Sequence, residues 1–172
     1  MFVKILNSFV IVIASTLLGR ELANKYVNRV NELSALQVAL SRLETEIEHY
    51  ASRLPEAMIR IGNSIGGTAG KLFYIAGQSL TEKSSTLSEV WNTSLDLMKP
   101  EWSLRQEDSK ILRRFGDQLG NSDREGQIRF IRLTLAQLHD EEVKARAARE
   151  KYDKMYRSLG LLGGIALAII LL

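Results

Sequence analysis

No cysteine occurs in the 172 residues, so the chain has no disulfide framework, thiolate metal site, thiol nucleophile or lipid-modified cysteine anchor. Histidine occurs only twice, which leaves little for imidazole ligands or acid–base work. An excess of one charge is missing as well: 23 bases stand against 20 acids, a net +3. That balance excludes a nucleic-acid binder built on basic charge. The length suits one modest domain. A mean hydropathy of −0.06 resembles that of an ordinary water-soluble protein.

The average hides an uneven distribution. Residues 1–19 carry one charge, Lys4, and residues 158–172 carry none. The stretch 20–157 holds all the acids and every other base, for a local net charge of +2. Phe2–Gly19 is about 27 Å long as a helix, close to the hydrocarbon thickness of a bilayer, with Lys4 placed to snorkel. No A-x-A-type cleavage site follows this run, so a retained anchor is expected in preference to a signal peptide. Ser158–Leu172 covers only about 22 Å, and Met155, Tyr156 and a snorkelling Arg157 extend it to a workable span. Tyr152 and Tyr156 fit an interfacial aromatic belt. A buried C-terminal core helix is the alternative. Nine bases flank the two runs on the inner side (Arg20, Lys25, Arg29, Lys144, Arg146, Arg149, Lys151, Lys154 and Arg157), against Lys4 outside. The middle is therefore expected in the cytoplasm, with both termini outside. Small residues recur four apart at Ser15, Gly19 and Ala23, and at Gly160, Gly164 and Ala168, a spacing that lets membrane helices approach closely. Three segments follow: an N-terminal transmembrane helix 1–19, a cytoplasmic helical bundle 20–157 and a C-terminal transmembrane helix 158–172.

Helical periodicity dominates the middle. Leu33, Leu36, Leu40, Leu43, Ile47, Tyr50 and Leu54 form a heptad-like, coiled-coil seam on one helix, and Pro55 starts the next. Gly62, Gly66, Gly67 and Gly70 predict a turn or kinked join. Thr86-x-x-Glu89 and Ser103-x-x-Gln106 are capping-box spacings that place helices near 87–98 and 104–119, separated by Pro100 and closed by Gly120. Ser122-x-x-Glu125 opens a last helix with the seam Ile128, Ile131, Leu135 and Leu138, running from about Asp123 to the end. Strand-like alternation never persists. The fold class is all-α, an antiparallel helical bundle whose first and last helices enter the membrane.

No catalytic constellation emerges. Gly-rich 62–70 and Lys71 suggest a phosphate loop, yet Ile65 stands where the first glycine belongs and Leu72 where Ser/Thr belongs. His49 and His139 sit beside acids as solvated helix residues, outside any H-E-x-x-H pattern. Glu44, Glu46 and Glu48 spread around a helix, so they form a solvated face or a partner-facing acidic patch, and no carboxylate dyad. In 139–157 the spacings Asp140–Lys144, Glu142–Arg146, Arg146–Glu150 and Glu150–Lys154 describe a self-supporting exposed helix, with a docking face around Lys144, Arg146 and Glu150 as the sharper alternative. No metal site, cofactor or enzyme activity is expected.

FGDQLGNSD at 115–123, Gln127 and REKYDKMYRSLGLLGGIALAIILL at 149–172 resemble the stage III sporulation protein AB family of spore-forming Firmicutes. LSRLETEIEHYASRLPEAM at 40–58 and the acidic, tryptophan-bearing Glu89–Trp91 agree, so the resemblance spans essentially the whole chain. It implies a six-helix bundle similar to the cytoplasmic domains of the type II secretion platform protein F. It further implies a place in the mother-cell membrane around the forespore, within an operon-encoded channel or secretion-like complex needed for late forespore gene expression. The implied partner is the secretion-type ATPase of that operon, stage III sporulation protein AA, beside the bilayer and the other channel proteins. A secretion platform has two bundles and three spans, where this chain has one and two. Self-association through the small-residue faces is the expected remedy, giving a homo-oligomer. The alternative function is an exported, membrane-anchored coiled-coil structural protein.

Overall fold

The computed structural model describes the backbone of residues 2–50, 53–82, 86–119 and 123–171, and side-chain surroundings for these except 2–9, 11, 50, 167–168 and 170–171. Six α-helices account for nearly all of it: α1 (Phe2–Thr45), α2 (Leu54–Ile65), α3 (Gly67–Glu82), α4 (Leu87–Met98), α5 (Gln106–Leu119) and α6 (Arg124–Leu171). A π-helical turn, Glu46–Tyr50, follows α1, and a 3-10 turn, Lys99–Glu101, follows α4. The chain packs as two compact units, one from residues 1–30 and 144–172, the other from 31–143. The all-α, six-helix expectation holds.

In the second unit the apolar seam of α1 becomes core. Leu33, Leu36, Leu40 and Leu43 are fully buried, and Ile131 and Leu138 of α6 are buried too. Trp91 of α4 is wholly enclosed, with Phe73 and Phe115 meeting it edge-on at 5.3 and 5.2 Å. Its indole Nε1 donates to Leu112 O at 2.8 Å, so the largest core side chain is also polar-satisfied. Gly116 makes room for it: a Cβ there meets the indole at Cδ1 and, at 2.7 Å, at Cγ.

Local chemistry explains most helix ends. Pro55 lies in the first turn of α2, where its missing N–H costs nothing. α2 stops at Gly66 and α3 begins at Gly67, both with positive φ (69° and 61°), the backbone that glycine accepts without strain. Thr86 and Glu89 form the capping box of α4, with Oγ1 accepting Glu89 N–H at 3.3 Å and Glu89 Oε2 accepting Thr86 N–H at 3.2 Å.

Three boundary expectations differ. Leu54 belongs to α2 rather than to the α1 seam, because the π turn ends that helix. α5 starts at Gln106, and Asp108 Oδ2 rather than Gln106 reaches back, accepting Arg105 N–H at 2.8 Å. Ser103 is turned away: its N–H donates to Glu32 Oε2 of α1 at 2.9 Å. At α6 the cap is Asp123, whose Oδ1 accepts Gly126 N–H at 3.0 Å. Ser122, Gly120, and the side chains of Lys4, Tyr50 and Ala168 lie outside the described residues.

Among the described residues no helix is long and apolar enough to cross a membrane. The runs 2–19 and 158–172 extend into residues outside that description, so the anchoring expectation rests on sequence.

Candidate functional site

Around the π turn, residues distant in sequence converge on the acidic run. The five-residue π turn breaks the ordinary i→i+4 pattern at the end of α1 and leaves carbonyls there poorly placed for helical bonding. Arg124, at the start of α6, supplies the donors: Nε reaches Ile47 O at 2.9 Å and Nη2 reaches Glu48 O. Glu44 is hydrogen-bonded by Arg132 Nε at 2.5 Å, and Arg132 Nη2 lies 3.9 Å from Glu48. Glu46 is hydrogen-bonded by Arg60 Nη2 at 2.6 Å. These contacts hold the Arg60 and Arg132 guanidinium groups above their ordinary range, in each case mainly through the carboxylate hydrogen bond. The run is therefore one half of a mixed-charge surface whose basic half comes from α2 and α6. Solvent screens exposed pairs of this sort, so they shape the surface more than they stabilise the fold.

The mixed-charge stretch of α6 divides. Lys144, Arg146 and Glu150 are exposed, and Arg146 and Glu150 join Arg149, Asp153 and Lys154 in a shallow polar surface. Arg157 Nε donates to Asp153 Oδ1 at 2.8 Å. Glu142, read as part of an exposed face, is instead buried and accepts Gln37 Nε2 from α1 at 2.7 Å.

The small-residue lines meet each other within the first unit. A Cβ on Gly19 falls 2.6 Å from Tyr156 O and 2.9 Å from Gly160 Cα. One on Gly160 falls 2.9 Å from Ser15 O, and one on Gly164 falls 3.0 Å from Ser15 Cβ. Ser15 Oγ also donates to Gly160 O at 2.8 Å. Ala23 is fully buried in the same line. Within one chain these faces of α1 and α6 pack directly on each other, and self-association through them stays an expectation from the sequence. Tyr152 and Tyr156 stack on Tyr26 at 5.2 and 5.8 Å, extending the contact.

Among the described residues no group of three or more His, Cys, Asp or Glu could hold a metal ion. His49 is exposed beside Glu48, and His139 is exposed. Glu32 sits in an unusual environment for a carboxyl group. Burial raises the Glu32 carboxyl to about 7, with Asp108 adding to the rise and the Ser103 N–H opposing it. Sequence reasoning passed over Glu32, Arg60, Arg124 and Arg132, whose partners lie 14 to 88 residues away and leave no local signature.

The family profile described as stage III sporulation protein AB matches residues 4–172. The chain belongs to that family. The stage III sporulation protein AB of Bacillus subtilis (strain 168) is 32% identical over 169 residues, which cover 98% of this chain and 99% of that protein. A solved stage III sporulation protein AB superposes with a TM-score of 0.68 at 28% identity, covering 72% of this chain and 98% of the solved one. Membership in the stage III sporulation protein AB family makes this a sporulation protein, and the solved relative shares its helical bundle. The quoted blocks at 40–58, 115–123 and 149–172 all fall inside the matched range.

Proposed function

We propose that this chain is a non-enzymatic platform in the mother-cell membrane around the forespore. There it links the secretion-type ATPase of its operon, stage III sporulation protein AA, to the channel complex that sustains late forespore gene expression. The carrying observation is the outer surface of the first unit. Its small residues face inward between α1 and α6, while Ile13, Leu17, Leu18, Leu159, Leu162 and Ile169 are 45% to 71% exposed. A helix pair with small residues inside and large apolar ones outside is built for surroundings as apolar as itself. The basic flanks at Arg20, Lys25, Lys151 and Lys154 favour a cytoplasmic second unit. That unit offers charged helical surfaces for docking, at the π turn and elsewhere, which is what a platform requires.

Thiol labelling of Thr93→Cys tests this reading, since the chain has no other cysteine and Thr93 is exposed. The platform predicts that an impermeant reagent reacts only after the cells are permeabilised. Labelling in intact cells would instead support an exported, membrane-anchored structural protein.

A further inference from the structure

The second unit contains a cleft that none of these roles uses. It has a volume of about 530 Å³ and lies against α4, the 99–105 connection and the first half of α5. Leu95, Trp102 and Leu104 give it an apolar lining, and Lys99, Arg105 and Lys110 give it positive charge. Asp96, the acid in the lining, is engaged by Arg113. Lys99, Arg105 and Lys110 are exposed and make no ion pair among the described residues. The indole Nε1 of Trp102 is buried and finds no acceptor there either, a costly state for a donor.

The arrangement selects among anions. Gln106, Ser109, Lys110 and Arg113 share one face of α5, so the polar rim runs along about 10 Å of helix instead of converging on a point. A phosphate or lipid headgroup is best held by converging cations, whereas a strung-out basic rim beside an apolar wall matches a peptide. We propose that this cleft is the docking site for an acidic protein segment. One large apolar side chain of that segment packs against Leu95, Trp102 and Leu104, and its carboxylates lie along Lys99, Arg105 and Lys110. The inference goes beyond the platform reading and stands on the cleft alone: the cleft binds such a segment wherever the chain resides.

Only two tryptophans are present, and Trp91 is sealed in the core, so a change in emission on binding reports Trp102. The full-length chain in detergent micelles is titrated with a short synthetic peptide of glutamates interrupted by leucine. The expected result is a saturable emission change that weakens with salt, disappears in Trp102→Phe, and needs about tenfold more peptide in Lys110→Glu and in Lys99→Glu. Both lysines are exposed, and circular dichroism checks that each variant is folded. The proposal is overturned by no saturable change, by affinities that ignore both reversals, or by a signal surviving in Trp102→Phe. It is also overturned if phosphatidylglycerol vesicles give the response and the peptide does not.

Discussion

Glu32 links a single proton to the stability of the helical unit. Its carboxylate takes the Ser103 N–H across from α1 to the α4–α5 connection, in surroundings that raise its pKa from 4.5 to about 7. A carboxyl that holds its proton more tightly when folded stabilises the fold most below the unfolded value. That contribution is fully present below about pH 4.5 and is lost as the pH rises through about 7. A tenfold gain in proton affinity is worth about 1.4 kcal/mol, but Glu32 is only half-buried, and solvent screening reduces the total to about 1–2 kcal/mol. Glu32→Gln keeps an acceptor for Ser103 while removing the charge. Urea unfolding of the full-length chain in detergent, followed by tryptophan emission between pH 4.5 and 8, gives the difference directly. The variant should match the parent near pH 4.5 and exceed it by about 1–2 kcal/mol at pH 8. A difference that does not change with pH, or a less stable variant at pH 8, would refute the reasoning.

Three further outcomes follow from packing and capping. Gly116→Ala forces its methyl group into the Trp91 indole and should cost about 1–3 kcal/mol in urea unfolding, with an unchanged midpoint contradicting the packing. Thr86→Ala removes the acceptor for the Glu89 N–H and should cost about 1 kcal/mol, while Thr86→Ser should largely retain stability. Ser15→Cys combined with Gly164→Cys should oxidise to a disulfide within one chain, migrating as a monomer without reductant. Crosslinked dimers would mean that the small-residue lines pair between copies.

Much of the fold was legible because its signals are local. The Thr86 capping box, the proline at the start of α2 and the glycines at 66 and 67 each act within one turn, so sequence spacing suffices to place them. The seam of α1 was equally readable up to Leu43, since heptad spacing reports burial on one face. What escaped depends on distant partners. Ser103 looks like a cap until Glu32, 71 residues earlier, takes its N–H. Glu142 looks solvated until Gln37 reaches it from α1. The π turn has no spacing rule of its own, and Arg124, Arg132 and Arg60 meet it only in the folded chain. The small residues announced close helix approach, but spacing on one helix cannot say which helix answers.

The central claim, that this chain holds an ATPase at a membrane, is tested most directly by flotation. Vesicles carrying the full-length chain are mixed with purified stage III sporulation protein AA and centrifuged through a density gradient. The account predicts that the ATPase floats with these vesicles and stays at the bottom with empty ones. An ATPase that remains at the bottom in both cases, while the chain itself floats, would contradict it.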